Sequence, residues 1–208
     1  LKLEHGDPER EELDRMRLAA VLKYTPRLLR VGFHQQCVND VAFSPDGRYA
    51  FSASGDGTVH VWAGSPEDPL SIHASHLHHG AGVNRAAFSR DSTRLVTAGK
   101  DGKARVWACE TGQPGATFDH GADVRCAQFD VTGAVALTAG ADGVVKQWDT
   151  ATGRAARPDV KHGKDVLWAA YSPDGDRLVT AGTGMAKLWN AKTGEPVGPP
   201  FHAGADVV

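Results

Sequence analysis

The sequence predicts an all-β fold, a β-propeller of four-stranded antiparallel blades, and three recurrences carry that expectation. Histidine returns at His34, His79, His120, His162 and His202, tryptophan at Trp62, Trp107, Trp148 and Trp189, and an Asp-Gly pair at 56–57, 101–102 and 142–143. The tryptophans stand 45, 41 and 41 residues apart, whereas the step from histidine to tryptophan is 28, 28, 28 and 27. The inside of the unit is held while the connection between units varies, as expected of one supersecondary element repeated along the chain.

Within each unit the elements follow one order. The first strands are VNDVAF (38–43), VNRAAF (83–88), VRCAQF (124–129) and VLWAAY (166–171), each opening on valine and closing on an aromatic. The turns after them are SPDG at Ser44 and Ser172, SRDS at Ser89 and DVTG at Asp130, rich in residues that set the backbone angles of a reversal. Second strands end in SAS (52–54) or TAG (97–99, 138–140, 180–182), and the Asp-Gly pair then turns the chain into the tryptophan strand. Beyond the tryptophan, Thr111-Gly112, Thr152-Gly153 and Thr193-Gly194 lead toward a short fourth strand before the next histidine. Four strands per unit make a propeller blade. The blades are expected at about 34–73, 79–118, 120–160 and 162–201, with a fifth starting at 202–208.

Residues 1–26 read as a helical linker before a partial propeller over 27–208. Asp7-Pro8 followed by Glu9, Glu11 and Glu12 is a helix start, with a capping acid, proline in the first turn and negative charge at the positive end of the dipole. Leu13, Met16 and Ala20 then share a face of a helix over about 8–23. That helix packs on the propeller as a linker, or connects to a second copy or an upstream domain; both readings stand. RLLRVGF (27–33) sits where GPPF precedes His202, so it is expected to supply the outer strand of a preceding blade. Because the chain opens at Leu1 and stops within a repeat, it is expected to be a fragment of a longer protein whose further blades close the ring.

Composition narrows the function. With 208 residues, 41% hydrophobic, and a formal charge of −2, the chain has no broad basic field for nucleic acid. It has no apolar run long enough for a membrane helix. Its three cysteines form neither a CxxC pair nor an even set, which speaks against a zinc cage or disulfide framework and fits a reducing, cytoplasmic setting. Nucleophile-elbow, zinc-protease and phosphate-loop motifs are absent. The cluster His73, His76, His78 and His79 invites a metal. However, three of the four lie in the variable linker and neither carboxylate nor cysteine completes a set, so no metal or cofactor is expected.

At the histidine, the Asp-Gly turn and the tryptophan, the chain resembles the WD-repeat family over residues 34–208. An aspartate follows tryptophan only at Trp148-Asp149, with Ala63, Ala108 and Asn190 elsewhere. The resemblance implies a buried structural network in each blade: His34, Ser52, Asp56 and Trp62; His79, Thr97, Asp101 and Trp107; His120, Thr138, Asp142 and Trp148. Its physical basis is that a buried indole N–H needs an acceptor and a buried carboxylate needs donors. The fourth blade keeps His162, Thr180 and Trp189 but reads Thr183-Gly184-Met185, one residue shorter and without the aspartate. It is expected to be the least rigid. A histidine, hydroxyl and acid repeated three times beside a tryptophan points to structure rather than to three active sites.

The function implied is a non-catalytic protein-protein interaction scaffold or regulatory propeller. The wording SPDGRYAFSASGDGTVHVW and TAGKDGKARVW resembles bacterial repeat arrays often found behind a serine/threonine kinase domain. In the family, protein or peptide partners dock on the face bearing the histidine loops and Asp-Gly turns. There the equivalent first-strand residues are Asp40, Arg85, Cys126 and Trp168. Trp168 is a tryptophan beyond the blade's own, read either as core filling or as an exposed anchor. Arg85, Arg125, Lys164 and Asp165 are candidates for its polar surround. The alternative is a propeller enzyme or small-ligand binder using the central channel. It would need convergent carboxylates or histidines, whereas the inward strand positions are mainly alanine, valine and small polar residues.

Overall fold

Alternating apolar residues and glycine-bearing turns fold each repeat into one antiparallel sheet. The structure is a computed structural model that describes residues 33–63 and 73–202. The expected helix over 8–23, the segment 27–32 and residues 203–208 lie outside the described residues. The first sheet holds β1 (Val38–Phe43), β2 (Tyr49–Ser54), β3 (Thr58–Ala63) and β4 (His73–His78). The second holds β5 (Val83–Phe88), β6 (Arg94–Gly99), β7 (Lys103–Ala108) and β8 (Pro114–Asp119). The third holds β9 (Val124–Phe129), β10 (Val135–Gly140), β11 (Val144–Asp149) and β12 (Ala155–Lys161). The fourth holds β13 (Val166–Tyr171), β14 (Arg177–Gly182), β15 (Met185–Asn190) and the short β16 (Phe201–His202). All pair in chain order, so each sheet is a meander.

The core lies between sheets rather than within them. Phe51, Ala53, Val59 and Leu77 of the first sheet pack against Val83, Ala86, Leu95 and Trp107 of the second. Val96, Ala98 and Phe118 of the second meet Val124, Ala127 and Ala136 of the third. Leu137, Val145 and Val160 then meet Val166, Leu178 and Trp189 of the fourth. A middle blade has a neighbour on each face, which is why Leu95 and Val96, adjacent in β6, are both fully buried. Among the described residues each end blade has a neighbouring sheet on one face only. Val41 and Phe43 on β1 are 65% and 77% exposed, and Val179 on β14 is 40% exposed although Leu178 beside it is buried.

Polar ties fix the spacing of the sheets. Asn39 Nδ2 donates to Val83 O at 2.7 Å, and Asn84, one repeat later, donates to Val124 O at 2.8 Å. Arg94 donates to Gly133 O at 2.8 Å and lies over the Phe129 ring. Ser92, in the turn between β5 and β6, is the one described non-glycine residue with positive φ, at 60°. Its hydroxyl accepts a hydrogen bond from Asp46 N of the first sheet, which helps to offset the strained backbone.

Two boundaries differ from expectation. His73, His76 and His78 lie on β4 rather than in a linker, because β4 pairs along the whole of β3, from Thr58↔His78 to Ala63↔His73. The first blade therefore runs to His78. His202 pairs with Met185, as His78 does with Thr58, Asp119 with Lys103 and Lys161 with Val144. It ends the fourth sheet, one register position before the loop histidines, rather than opening a fifth. Aligning FHAGADV (201–207) with FDHGADV (118–124) shows the same offset, which counting histidines conceals.

Candidate functional site

The loop histidines sit where the fourth strand of one blade passes to the first strand of the next, beside the turn between second and third strands. In the second sheet the Trp107 indole donates to Thr97 Oγ1 at 3.0 Å, and Thr97 Oγ1 lies 2.7 Å from His79 Nδ1. His79 Nε2 lies 3.2 Å from Asp101 Oδ1. The third sheet repeats this with Trp148 to Thr138 at 2.8 Å, Thr138 to His120 at 2.7 Å and His120 to Asp142 at 3.2 Å. In the third sheet one donor order satisfies all four groups: the Thr138 hydroxyl accepts from the indole and donates to His120 Nδ1, and His120 Nε2–H donates to Asp142, which assigns the neutral Nε2–H tautomer. In the second sheet the Arg105 guanidinium also lies 2.5 Å from His79 Nε2, so that nitrogen accepts, Nδ1–H donates to Thr97, and the Thr97 hydroxyl donates to Arg105 O, which again leaves the ring neutral. Burial holds His79 and His120 below the usual imidazole range, in keeping with that neutral form. Burial pushes Asp101 up, but hydrogen bonds from Arg105 and the Lys103 amide keep it below the usual carboxylate range.

Glycine makes room for that ring. A Cβ on Gly99 would overlap His79 Nε2, and one on Gly140 would overlap His120 Nε2. The first blade has Ser54 at this position, and its histidine is turned over. His34 Nε2 lies 2.8 Å from Ser52 Oγ, while Nδ1 faces Thr58 Oγ1 at 2.8 Å. Asp56 accepts from Gln35 N and Thr58 N and lies 3.5 Å from His34 Nδ1 rather than Nε2. Sequence reasoning grouped His34, Ser52, Asp56 and Trp62 with the other sets and missed this reversal. The signal was the change from TAG to SAS. Position 60 also departs. Lys146 and Lys187 donate from that place to the His120 and His162 carbonyls, whereas His60 stacks on His34 with ring centroids 4.1 Å apart. His60 Nδ1 is buried without a partner, and burial, with His34 and His76 nearby, pushes the ring's pKa down to about 4.

In the fourth blade the Trp189 indole donates to Thr180 at 2.8 Å, and Thr180 Oγ1 lies 2.8 Å from His162 Nδ1. His162 Nε2 is buried with no partner, because the shortened turn supplies no carboxylate. Amides of β13 to β15 are therefore expected to exchange hydrogen faster than those of β5 to β7 and β9 to β11. Inserting an aspartate between Thr183 and Gly184 should slow them, which separates the missing carboxylate from the uncovered sheet face. Equal protection in all three blades, or no response to the insertion, would contradict this.

The first-strand row lies beside these loops. Asp40 accepts from Ala86 N at 3.0 Å and so ties the first sheet to the second. Cys126 is buried, with Sγ 3.6 Å from Ala169 O. Arg85, on β5, reaches past it to Trp168 on β13, its guanidinium 4.4 Å from the ring centroid. Trp168 is 39% exposed, so it does not fill the core. Arg125 pairs with Asp123 at 2.9 Å and approaches Asp165 at 3.5 Å. Lys164 is exposed beside Asp165. The structure thus joins Arg85 to Trp168 and Arg125 to Asp165. A second polar group went unread: Gln147 is fully buried, donates to Ala191 O, and accepts from Tyr171 and Arg157. It stands where Val61, Val106 and Leu188 precede their tryptophans, and that polar exception was its signal.

Among the described residues no group of three or more histidine, cysteine or acidic side chains is arranged to hold a metal. The family model for the WD domain, G-beta repeat, matches residues 27–63, 70–108, 112–149 and 160–190, each match ending on the first three strands of one sheet. The chain belongs to the WD-repeat family. Over 43 residues, 21% of its length, this WD-repeat chain is 54% identical to the Ribosome assembly protein 4 of Saccharomyces cerevisiae. That match spans 8% of the yeast protein. Among the described residues no helix is long and apolar enough to cross a membrane.

Proposed function

We propose that this WD-repeat segment is a non-catalytic scaffold that holds a protein or peptide partner on the face bearing the histidine loops, with Trp168 as the anchor. One observation carries the reading: a tryptophan 39% exposed on an inner strand, with the Arg85 guanidinium over its ring at 4.4 Å. Tryptophan and arginine concentrate at interface hot spots, and a ring already held by a cation loses little freedom when a partner covers it. Arg125, Asp165 and Lys164 form the polar rim. A catalytic reading has less support. The repeated histidines His79 and His120 and the hydroxyls of Thr97 and Thr138 are buried and occupied by one another, out of reach of a substrate.

The uncovered faces, with Val41 and Phe43 at one end and Leu167 and Val179 at the other, are where further blades of the same parent chain stack. A net charge of −2 disfavours nucleic acid, and three free thiols, two of them buried, suit a cytoplasmic setting. Trp168→Ala is expected to lower recovery of the partner by tenfold or more in affinity enrichment from the source cell, with the melting temperature unchanged. Recovery equal to that of the parent protein removes Trp168 as the anchor.

A further inference from the structure

The turns between first and second strands lie at the opposite end of the blades from the histidine loops. Their second residue is Pro45, Val131 or Pro173 in three blades and Arg90 in one. The second blade's turn departs from the SPDG pattern twice, at Arg90 and Ser92, and Ser92 has a structural role, accepting from Asp46 N. Arg90 has none. It is exposed and makes no hydrogen bond, ion pair or ring contact with the described residues. Its side chain lines two clefts at once. One, of about 280 Å³, is bordered by Phe88, Phe129, Tyr171 and Pro173. The other, of about 190 Å³, is bordered by Asp91, Val131 and Gly133.

None of the carboxylates around Arg90 pairs with it. Asp91 accepts from Ser89 and the Thr93 amide, and Asp174 from Ser172 and the Asp176 amide. Asp130 accepts from Thr132 and lies 3.7 Å from Arg157. An arriving carboxylate therefore meets an uncommitted guanidinium beside a wall of aromatic and proline carbon. We propose that this end of the blades binds an acidic linear peptide, with a carboxylate on Arg90 and a neighbouring apolar side chain between Phe88, Phe129 and Pro173. Guanidinium–carboxylate pairs are charge-assisted and directional, and the apolar cleft supplies the area that such a pair alone lacks.

The test is selection of a displayed random dodecapeptide library on the full chain. Sequences with an aspartate or glutamate next to an apolar residue should be enriched on the parent protein, and the best of them should bind Arg90→Glu about tenfold or more weakly. Arg90→Glu alters an exposed side chain without partners, so an unchanged melting curve shows that its fold is intact. Trp168→Ala should select the same sequences, which separates this surface from the one at the histidine loops. No enrichment, a motif without an acid, or equal binding to Arg90→Glu would overturn the assignment.

Discussion

Gly99→Ala is expected to destabilise the chain by about 3–5 kcal/mol. The backbone is not the cause, since Gly99 does not have the positive φ that disfavours alanine. The cause is space. The new methyl would occupy the place of His79 Nε2 and crowd Asp101 Oδ1, in a buried site where the ring is held by Thr97 and cannot swing away cheaply. If the ring stays in the core but is displaced, it gives up its bonds to Thr97 and Arg105, and each buried polar group left unsatisfied costs about 1–3 kcal/mol. Gly140→Ala should behave alike through His120. Ser54→Gly in the first blade should cost about 1–3 kcal/mol by another route, since the buried Ser54 hydroxyl donates to Gln36 O and accepts from Asp56 N, and not through the orientation of His34. Denaturant midpoints read all three. A Gly99→Ala midpoint within error of the parent's would show that the histidine is not fixed by this network.

Thr138→Val is expected to remove about 2–4 kcal/mol. Valine matches threonine in shape, so no cavity or overlap opens, and the loss is that of the hydroxyl alone. That hydroxyl accepts from the Trp148 indole and donates to His120, and its removal leaves the indole N–H without an acceptor. Thr180→Val in the fourth blade should have the smaller effect, since His162 Nε2 already lacks a carboxylate and less of a network is left to break. The denaturant slope should stay constant while the midpoint falls. Equal losses at Thr138 and Thr180 would show that the acid contributes nothing to the third blade.

Much of the fold is legible in local sequence because each blade is a meander of short strands, and turn chemistry marks every reversal. The first strands VNDVAF, VNRAAF, VRCAQF and VLWAAY coincide with β1, β5, β9 and β13. What local reading misses is set by pairing and by space. Whether HASHLH (73–78) is linker or strand depends on β3 beside it, and the place of His202 depends on a ladder register that spacing cannot reveal. In the network, residue types identify the partners but not the ring orientation. Ser54 against Gly99 marks the difference, since a Cβ at position 99 would overlap His79 Nε2. The meeting of Arg85 with Trp168 joins residues two blades apart, and Cys126 between them does not announce it.

The separation of a structural network from a binding surface is tested most directly by measuring partner affinity and melting temperature side by side for Trp168→Ala and Thr138→Val. Trp168→Ala should lose at least tenfold in affinity with an unchanged melting temperature. Thr138→Val, assayed below its lowered melting temperature, should bind as the parent protein does. The opposite pattern, binding kept without Trp168 and lost without the Thr138 hydroxyl in a folded chain, would contradict the assignment of roles.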